Sequence, residues 1–129
     1  MSRKSKGINA ERELLHKFWG KENWCAIRVA GSGSMKYPSP DLLVSNKLRR
    51  LAIECKTSKD ERKYLTEEDV QELKQFINFF GGEPWFAVKF DRDEWFFISL
   101  EDLERSGKNY VITKELLRQK GLTFEEITK

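Results

Sequence analysis

Asp41-Leu-Leu-Val-Ser-Asn-Lys-Leu-Arg-Arg-Leu-Ala-Ile-Glu-Cys-Lys56 reads as two short strands, 41–44 and 50–56, folded into a hairpin around Ser45-Asn46-Lys47. Apolar runs on either side of a polar turn-forming triplet are the signal for that shape. The two-residue period of the second strand places Glu54 and Lys56 on one face and Ile53 and Cys55 on the other. Two opposite charges therefore project from the end of a strand whose Leu51, Ala52, Ile53 and Cys55 are apolar. Asp41 follows Pro40 directly, so its carboxylate stands where a Gly-, Pro- and Ser-rich loop, 31–40, meets the sheet. Taken singly, each has an ordinary explanation: a strand-capping aspartate, and a cross-strand ion pair.

Working outward, residues 7–19 have helical spacing, with Ile8, Leu14, Leu15, Phe18 and Trp19 recurring every three to four positions, and 24–30 reads as a strand. Beyond the hairpin, a polar segment 57–63 leads to Thr66-Glu-Glu-Asp69, a hydroxyl cap followed by three acids, which starts a helix. Its stripe is Val70, Leu73, Phe76, Ile77 and Phe80, and Gly81-Gly82 ends it. Strands at 84–90 and 94–99 follow around the turn 91–93. A short helix near 100–105, a strand at 110–112 and a helix from Thr113 make up a tail. The order α-β-β-β-α-β-β implies an α/β (α+β) fold, a central mixed β-sheet flanked by helices.

The chain's 129 residues suit a single domain, 1–129, with 39% hydrophobic and 35% charged residues and enough aromatics to close a core. Its start, Met1-Ser-Arg-Lys-Ser-Lys6, is charged and no apolar run is long enough to span a bilayer, so a cytoplasmic protein without a membrane partner is expected. Cys25 and Cys55 lack the spacing of a zinc or redox pair and read as buried, reduced filler. His16 is the one histidine, which leaves any metal chemistry to carboxylates and hence to hard ions. The net charge of +3 permits nucleic-acid binding without establishing it; Lys and Arg cluster at 3–6, 47–50 and 59–63, as they also do in ordinary solvated turns.

Glu11 shares its helix face with Leu14, Leu15 and Phe18, a position where an ionised carboxylate needs a partner. Arg12 or Arg28 can supply one at the edge of the stripe. Yet Asp41, Glu54 and Lys56 lie on adjacent strands, and Glu11 comes from a packed helix. Three carboxylates can meet around one or two divalent cations with an ammonium beside them, a constellation suited to phosphodiester hydrolysis.

Lys6-Gly7 with Ala10-Glu-Arg-Glu-Leu14, Arg28-Val-Ala-Gly-Ser32, Pro38-Ser-Pro-Asp-Leu42, Ala52-Ile-Glu-Cys-Lys56, Phe76 and Phe80 before Gly81-Gly82, and Ala87-Val-Lys-Phe90 carry a resemblance. In these motifs, over about residues 4–100, the chain resembles the archaeal Holliday junction resolvases, members of the restriction-endonuclease-like nuclease superfamily. The resemblance implies a metal core within about 8–90 and a small C-terminal extension from about 100. It implies a structure-selective endonuclease that nicks four-way DNA junctions in pairs near the branch point, in recombination and repair. Metal ligation by Glu11, Asp41 and Glu54 is implied, with Mg²⁺ as cofactor and Mn²⁺ able to substitute, and with Lys56 and Ser32 as further catalytic residues. Arg3, Lys4, Lys6, Arg12, Arg28, Lys36 and Lys89 are the candidate DNA contacts. Cys55 departs from a position often held by valine, and the loop 31–40 is longer than in the shortest relatives. A related nuclease acting on other DNA structures, or a non-catalytic junction-binding protein, are the alternatives.

One domain with one metal site cuts one strand at a time, whereas a junction must be cut on two, so a twofold homodimer is expected. The resemblance implies Phe76 and Phe80 at its interface, and the aromatic surplus on the strands from 84 to 99 adds Trp85 and Phe97, with Phe79 facing away from its helix's stripe. Branched DNA and a second copy of the chain are the expected partners; no nucleotide cofactor is.

Overall fold

In the structure, a computed structural model that describes residues 3–31 and 36–129, and side chains from residue 6 onward, the 41–56 stretch forms the expected hairpin. Strand β2 (Leu42–Ser45) pairs antiparallel with β3 (Arg50–Ser58), in the register Leu42 opposite Ile53 and Val44 opposite Leu51. Asn46 makes the turn by accepting the backbone N–H groups of Leu48 and Arg49 on Oδ1, at 3.1 and 2.7 Å. Helix α1 (Arg3–Trp19) starts earlier than its apolar periodicity implied, and β1 (Cys25–Arg28) pairs antiparallel on the outer side of β2.

On the other side of β3 runs β5 (Glu83–Phe90), parallel to it over eight residue pairs, from Leu51 opposite Glu83 to Ser58 opposite Phe90. Parallel neighbours need a crossover, and α2 (Glu67–Phe80) is that crossover. It begins with a capping box in which Thr66 Oγ1 accepts the Asp69 N–H and Asp69 Oδ2 accepts the Thr66 N–H, both at 3.0 Å. It ends at Gly81 and Gly82, both at positive φ; at Gly82 a Cβ would stand 2.6 Å from the Arg50 carbonyl oxygen, which only glycine avoids. Strand β6 (Trp95–Ser99) continues the sheet antiparallel to β5.

The tail differs from its expected form. Strand β4 (Arg62–Leu65) occupies the segment read as polar connection, and residues expected to form a helix near 100–105 make one 3-10 turn, Leu100–Asp102, followed by β7 (Glu104–Ser106). With β8 (Asn109–Thr113) they form a second, three-stranded sheet in the order β4-β8-β7. Strand β8 matches the strand expected at 110–112, whereas β4 and β7 are short and half-exposed and lack the run of apolar alternation that makes a strand legible. After α3 (Lys114–Lys120), β9 (Leu122–Thr123) joins the edge of the main sheet, whose order is β1-β2-β3-β5-β6-β9, and α4 (Phe124–Ile127) closes the chain.

Both faces of the main sheet are covered. One side packs Leu14 and Phe18 of α1 with Trp24, Leu42, Val44, Leu51, Ile53, Trp95, Phe97 and Ile127; the other packs Val70 and Leu73 of α2 with Phe86, Val88, Ile98, Ile112, Leu116 and Leu117. This double burial accounts for the aromatic surplus. Phe97, expected at a dimer interface, is wholly buried, with its ring edge-on to Phe18 at 6.1 Å. Trp85 is half-buried against the first core and donates its Nε1–H to Glu83. Cys25, expected inside, projects outward from the edge strand on the same face as exposed Ile27, and Cys55 is half-buried on the face of Ile53, packed against the first core.

Candidate active site

The end of β3 and the start of β2 meet beneath the first turns of α2 in a cleft of about 790 Å³. Asp41, Glu54 and Lys56 form its floor, Lys36, Tyr37 and Ser39 one wall, and Glu68, Asp69, Glu72 and Gln75 of α2 the other. The fold places each functional side chain through backbone pairing. Asp41 is tied on both sides, its N–H donating to the Ile53 carbonyl at 3.0 Å and its own carbonyl accepting the Val29 N–H at 2.8 Å. Its carboxylate is aimed by the Cys55 N–H, which donates to Oδ2 at 2.8 Å. Glu54 and Lys56 share the face of β3 that α2 covers, the side that Ala52 presents to the second core.

Glu11 reaches the group from the opposite side of the sheet, on α1, and does not line the cleft. Its Oε1 accepts from Arg28 Nη1 at 3.2 Å, so the ordinary ion-pair explanation of Glu11 is realised. The pair leaves the carboxylate in a crowded field nonetheless. Burial raises the Glu11 pKa, and the nearby Asp41 charge raises it further, outweighing the pull of Arg28. Glu54 is pushed up to about 8, by burial first and by the Asp41 charge second, with Lys56 opposing. Two carboxylates from different elements thus feel the charge of a third. Among the described residues no three of these groups close into a ready-made metal cage; Glu11 is turned to Arg28 and Asp41 to the backbone.

The other expected site residues are distributed unevenly. Lys36 is exposed at the mouth of the cleft, with its ammonium 5.9 Å from the centre of the Tyr37 ring. Arg12 is exposed on α1, and Lys6 stands beside Lys59, whose side-chain hydrogen bond and then charge lower its pKa. Lys89 is engaged by Glu13 at 3.0 Å, and the same carboxylate oxygen accepts the Trp95 Nε1–H at 3.0 Å. Ser32 and the side chains of Arg3 and Lys4 lie outside the described residues. Asp69 was read only as part of a helix start; the structure puts its Oδ1 3.7 Å from Lys56 Nζ. The acids at 68, 69 and 72 recur at helical spacing opposite the stripe of Val70, Leu73 and Ile77, a signal that a functional face runs along α2.

At the far end of α2, Phe76 and Phe80 stack at 5.0 Å, and Phe79 is 84% exposed. With Tyr37 and Pro38 they line an apolar groove of about 450 Å³ beside the cleft.

The family model described as archaeal Holliday junction resolvase (Hjc) matches residues 2–129. The chain belongs to that family. The match runs through the tail, beyond the 4–100 span in which the motifs lie. The crossover junction endodeoxyribonuclease Hjc of Archaeoglobus fulgidus is 41% identical over 124 residues, covering 96% of this chain and 90% of its own length. Its namesake from Methanocaldococcus jannaschii is 38% identical over 122 residues, covering 95% and 86%. The solved structure of the Archaeoglobus fulgidus Hjc, a Holliday junction resolvase from an archaeal hyperthermophile, superposes with a TM-score of 0.86 at 38% identity, covering 93% of this chain and 96% of that one. The family match therefore spans the segments of the small sheet and the short closing strand as well as the carboxylate-bearing hairpin.

Proposed function

We propose that this member of the resolvase family is a Mg²⁺-dependent, structure-selective endodeoxyribonuclease that acts as a homodimer and introduces paired nicks near the branch point of four-way DNA junctions. What supports the metal assignment is the donor set: Asp41, aimed by the Cys55 N–H, shares the cleft floor with Glu54, Glu11 approaches from the other side of the sheet, and burial first and the Asp41 charge second raise the pKa of both glutamates. Hard oxygen donors that repel one another fit a divalent cation of the Mg²⁺ or Mn²⁺ type. Glu11, Asp41 and Glu54 would hold it. Bound there, it supplies Lewis acidity toward a phosphate oxygen and acidifies an adjacent water.

The remaining work falls to the chain itself. The Cys55 N–H keeps the Asp41 carboxylate oriented, so that a ligand need not be ordered when substrate arrives. Lys56, on the floor of the cleft, offers its ammonium to the charge that builds on the scissile phosphate. Exposed Arg12, Lys36 and Lys6 are read as contacts to backbone phosphates, and Arg28 joins them only by leaving Glu11; such contacts fix position without reading sequence and weaken with salt. Lys89 joins them only by leaving Glu13.

Two strands must be cut, and each subunit offers one such cleft. The exposed aromatic end of α2, Phe76, Phe79 and Phe80, is the apolar surface that a second copy would cover. The test is cleavage of a labelled four-way junction with Mg²⁺ or with EDTA, in competition with linear duplex. Mg²⁺-dependent paired nicks and preference for the junction are expected; metal-independent cutting, or equal affinity for the duplex, would overturn the reading. For the interface, Phe79→Glu with Phe80→Glu should give a folded monomer in sedimentation, and an undisturbed dimer would remove that surface from consideration.

A further inference from the structure

Lys56 stands two residues from Glu54 on the same face of β3, so its nearest electrostatic option along its own strand is the carboxylate group it is meant to serve. An ammonium folded onto Glu54 and Asp41 would neutralise the cation site. The structure pairs it with Asp69 of α2, Nζ 3.7 Å from Oδ1, while its charge still reaches Glu54; both side chains of the pair are largely shielded, at 22% and 29% exposure.

Asp69 is unusually well fixed for a surface-helix carboxylate. Its Oδ2 is occupied by the Thr66 N–H at 3.0 Å, and its own N–H is held by Thr66 Oγ1 at 3.0 Å, so the capping box locks the rotamer that points Oδ1 into the cleft. The helix turn carrying it is anchored in addition. Arg105 of β7 donates to Glu67 Oε2 at 2.7 Å, and Gln71 donates to Glu67 Oε1 at 2.8 Å. The small sheet, which contributes nothing to the cleft's lining, thereby braces the helix start that does.

From this geometry we infer that Asp69 is a positioning residue of the nuclease: its cap-locked carboxylate draws the Lys56 ammonium off the carboxylates of the floor and holds it across the cleft, where a phosphate would pass. The inference rests on the assignment of Lys56 to the reaction made above. One carboxylate does both jobs, one oxygen for the cap and the other for the lysine, which allows them to be separated by mutation.

Asp69→Asn keeps an oxygen to accept the Thr66 N–H and removes the charge that faces Lys56. Its single-turnover cleavage rate at saturating protein should fall on the order of 10- to 100-fold, the scale of a misplaced reacting group, while the junction dissociation constant measured with Ca²⁺ stays within about twofold. Asp69→Glu restores the charge and should recover part of the rate. Thr66→Ala removes the hydroxyl of the cap and leaves the pair, so it should lower the melting temperature and change the rate by less than about threefold. An Asp69→Asn protein that cuts at the parental rate or faster overturns the inference, as does a loss of rate in Thr66→Ala equal to that in Asp69→Asn, which would mark a purely structural role. If Lys56→Ala itself cuts normally, the assignment of the lysine fails first, an outcome distinct from failure of Asp69 alone.

Discussion

Two carboxylates of the central strands, three residue pairs apart, are treated in opposite ways. At the start of β5, Glu83 receives both ends of the Arg49 guanidinium, Nε to Oε2 and Nη2 to Oε1, each at 2.8 Å, and Arg49 also donates to the Ile127 carbonyl at 2.6 Å. That bidentate bonding lowers the Glu83 pKa against the effect of burial. Three residue pairs along, in the middle of β3, Glu54 is pushed up to about 8, because burial and Asp41 outweigh Lys56. Both acids sit on the same parallel pair of strands, Glu83 at its first residue pair and Glu54 at its fourth. The first ties Ile127 to the sheet through Arg49; the second lies beside Asp41 on the floor of the cleft. The lesson is that a paired carboxylate holds the fold together, whereas a crowded one marks the site.

The largest expected effect tests the crowded carboxylate. Glu54→Gln or Asp41→Asn should reduce junction cleavage by about 10³-fold or more while leaving junction affinity nearly intact, and a variant that still cuts would remove these residues from the site. The same Glu54→Gln change should act on stability with the opposite sign. A carboxyl whose pKa rises from 4.5 in the unfolded chain to about 8 in the fold binds its proton more tightly when folded. It therefore costs nothing below about pH 4.5 and destabilises progressively as the pH climbs toward 8. In EDTA, Glu54→Gln should match the parent in acid and exceed it by a few kcal/mol near pH 8, and Mg²⁺ should narrow the gap by stabilising the parent. Parallel melting profiles from pH 4.5 to 9 would contradict this.

At the paired carboxylate the signs reverse. Arg49→Ala removes three charge-assisted or carbonyl-directed bonds and a ring contact with Trp24 at 5.7 Å, and should cost about 1–3 kcal/mol, partial exposure of the pair keeping the figure low. Its melting temperature should drop on the order of 10 °C with the cleavage rate per folded molecule unchanged; loss of cutting without loss of stability would break the contrast. Nearby, Lys21 and Glu125 form an exposed pair at 2.9 Å, and Glu125→Gln should leave the melting temperature where it was. A sizeable drop there would show that exposure is not what separates the two kinds of pair.

Much of this was legible along the chain. The hairpin, the crossover helix with its cap at Thr66 and its glycine stop, and strands β5 and β6 all follow from periodicity and turn chemistry, which are local. Asp41, Glu54 and Lys56 could be placed together because a hairpin register converts sequence spacing into spatial adjacency. The second sheet was hidden although its middle strand β8 was legible, because β4 and β7 are short and β4 comes from a distant part of the chain. Phe97 was misplaced because an apolar run does not reveal whether one face of a sheet is covered or two.

What the sequence by itself determined, then, is the local grammar: which segments become helix or strand, which acids share a strand face, and a family resemblance that the full-length match bears out. Only the tertiary structure decided which partner each charge meets. Arg28 goes to Glu11, Lys89 to Glu13 and Lys56 to Asp69, across 17, 76 and 13 positions of chain. The reason is physical: ion pairing and burial depend on distance through space, and packing the two layers around one sheet sets those distances after the local choices have been made.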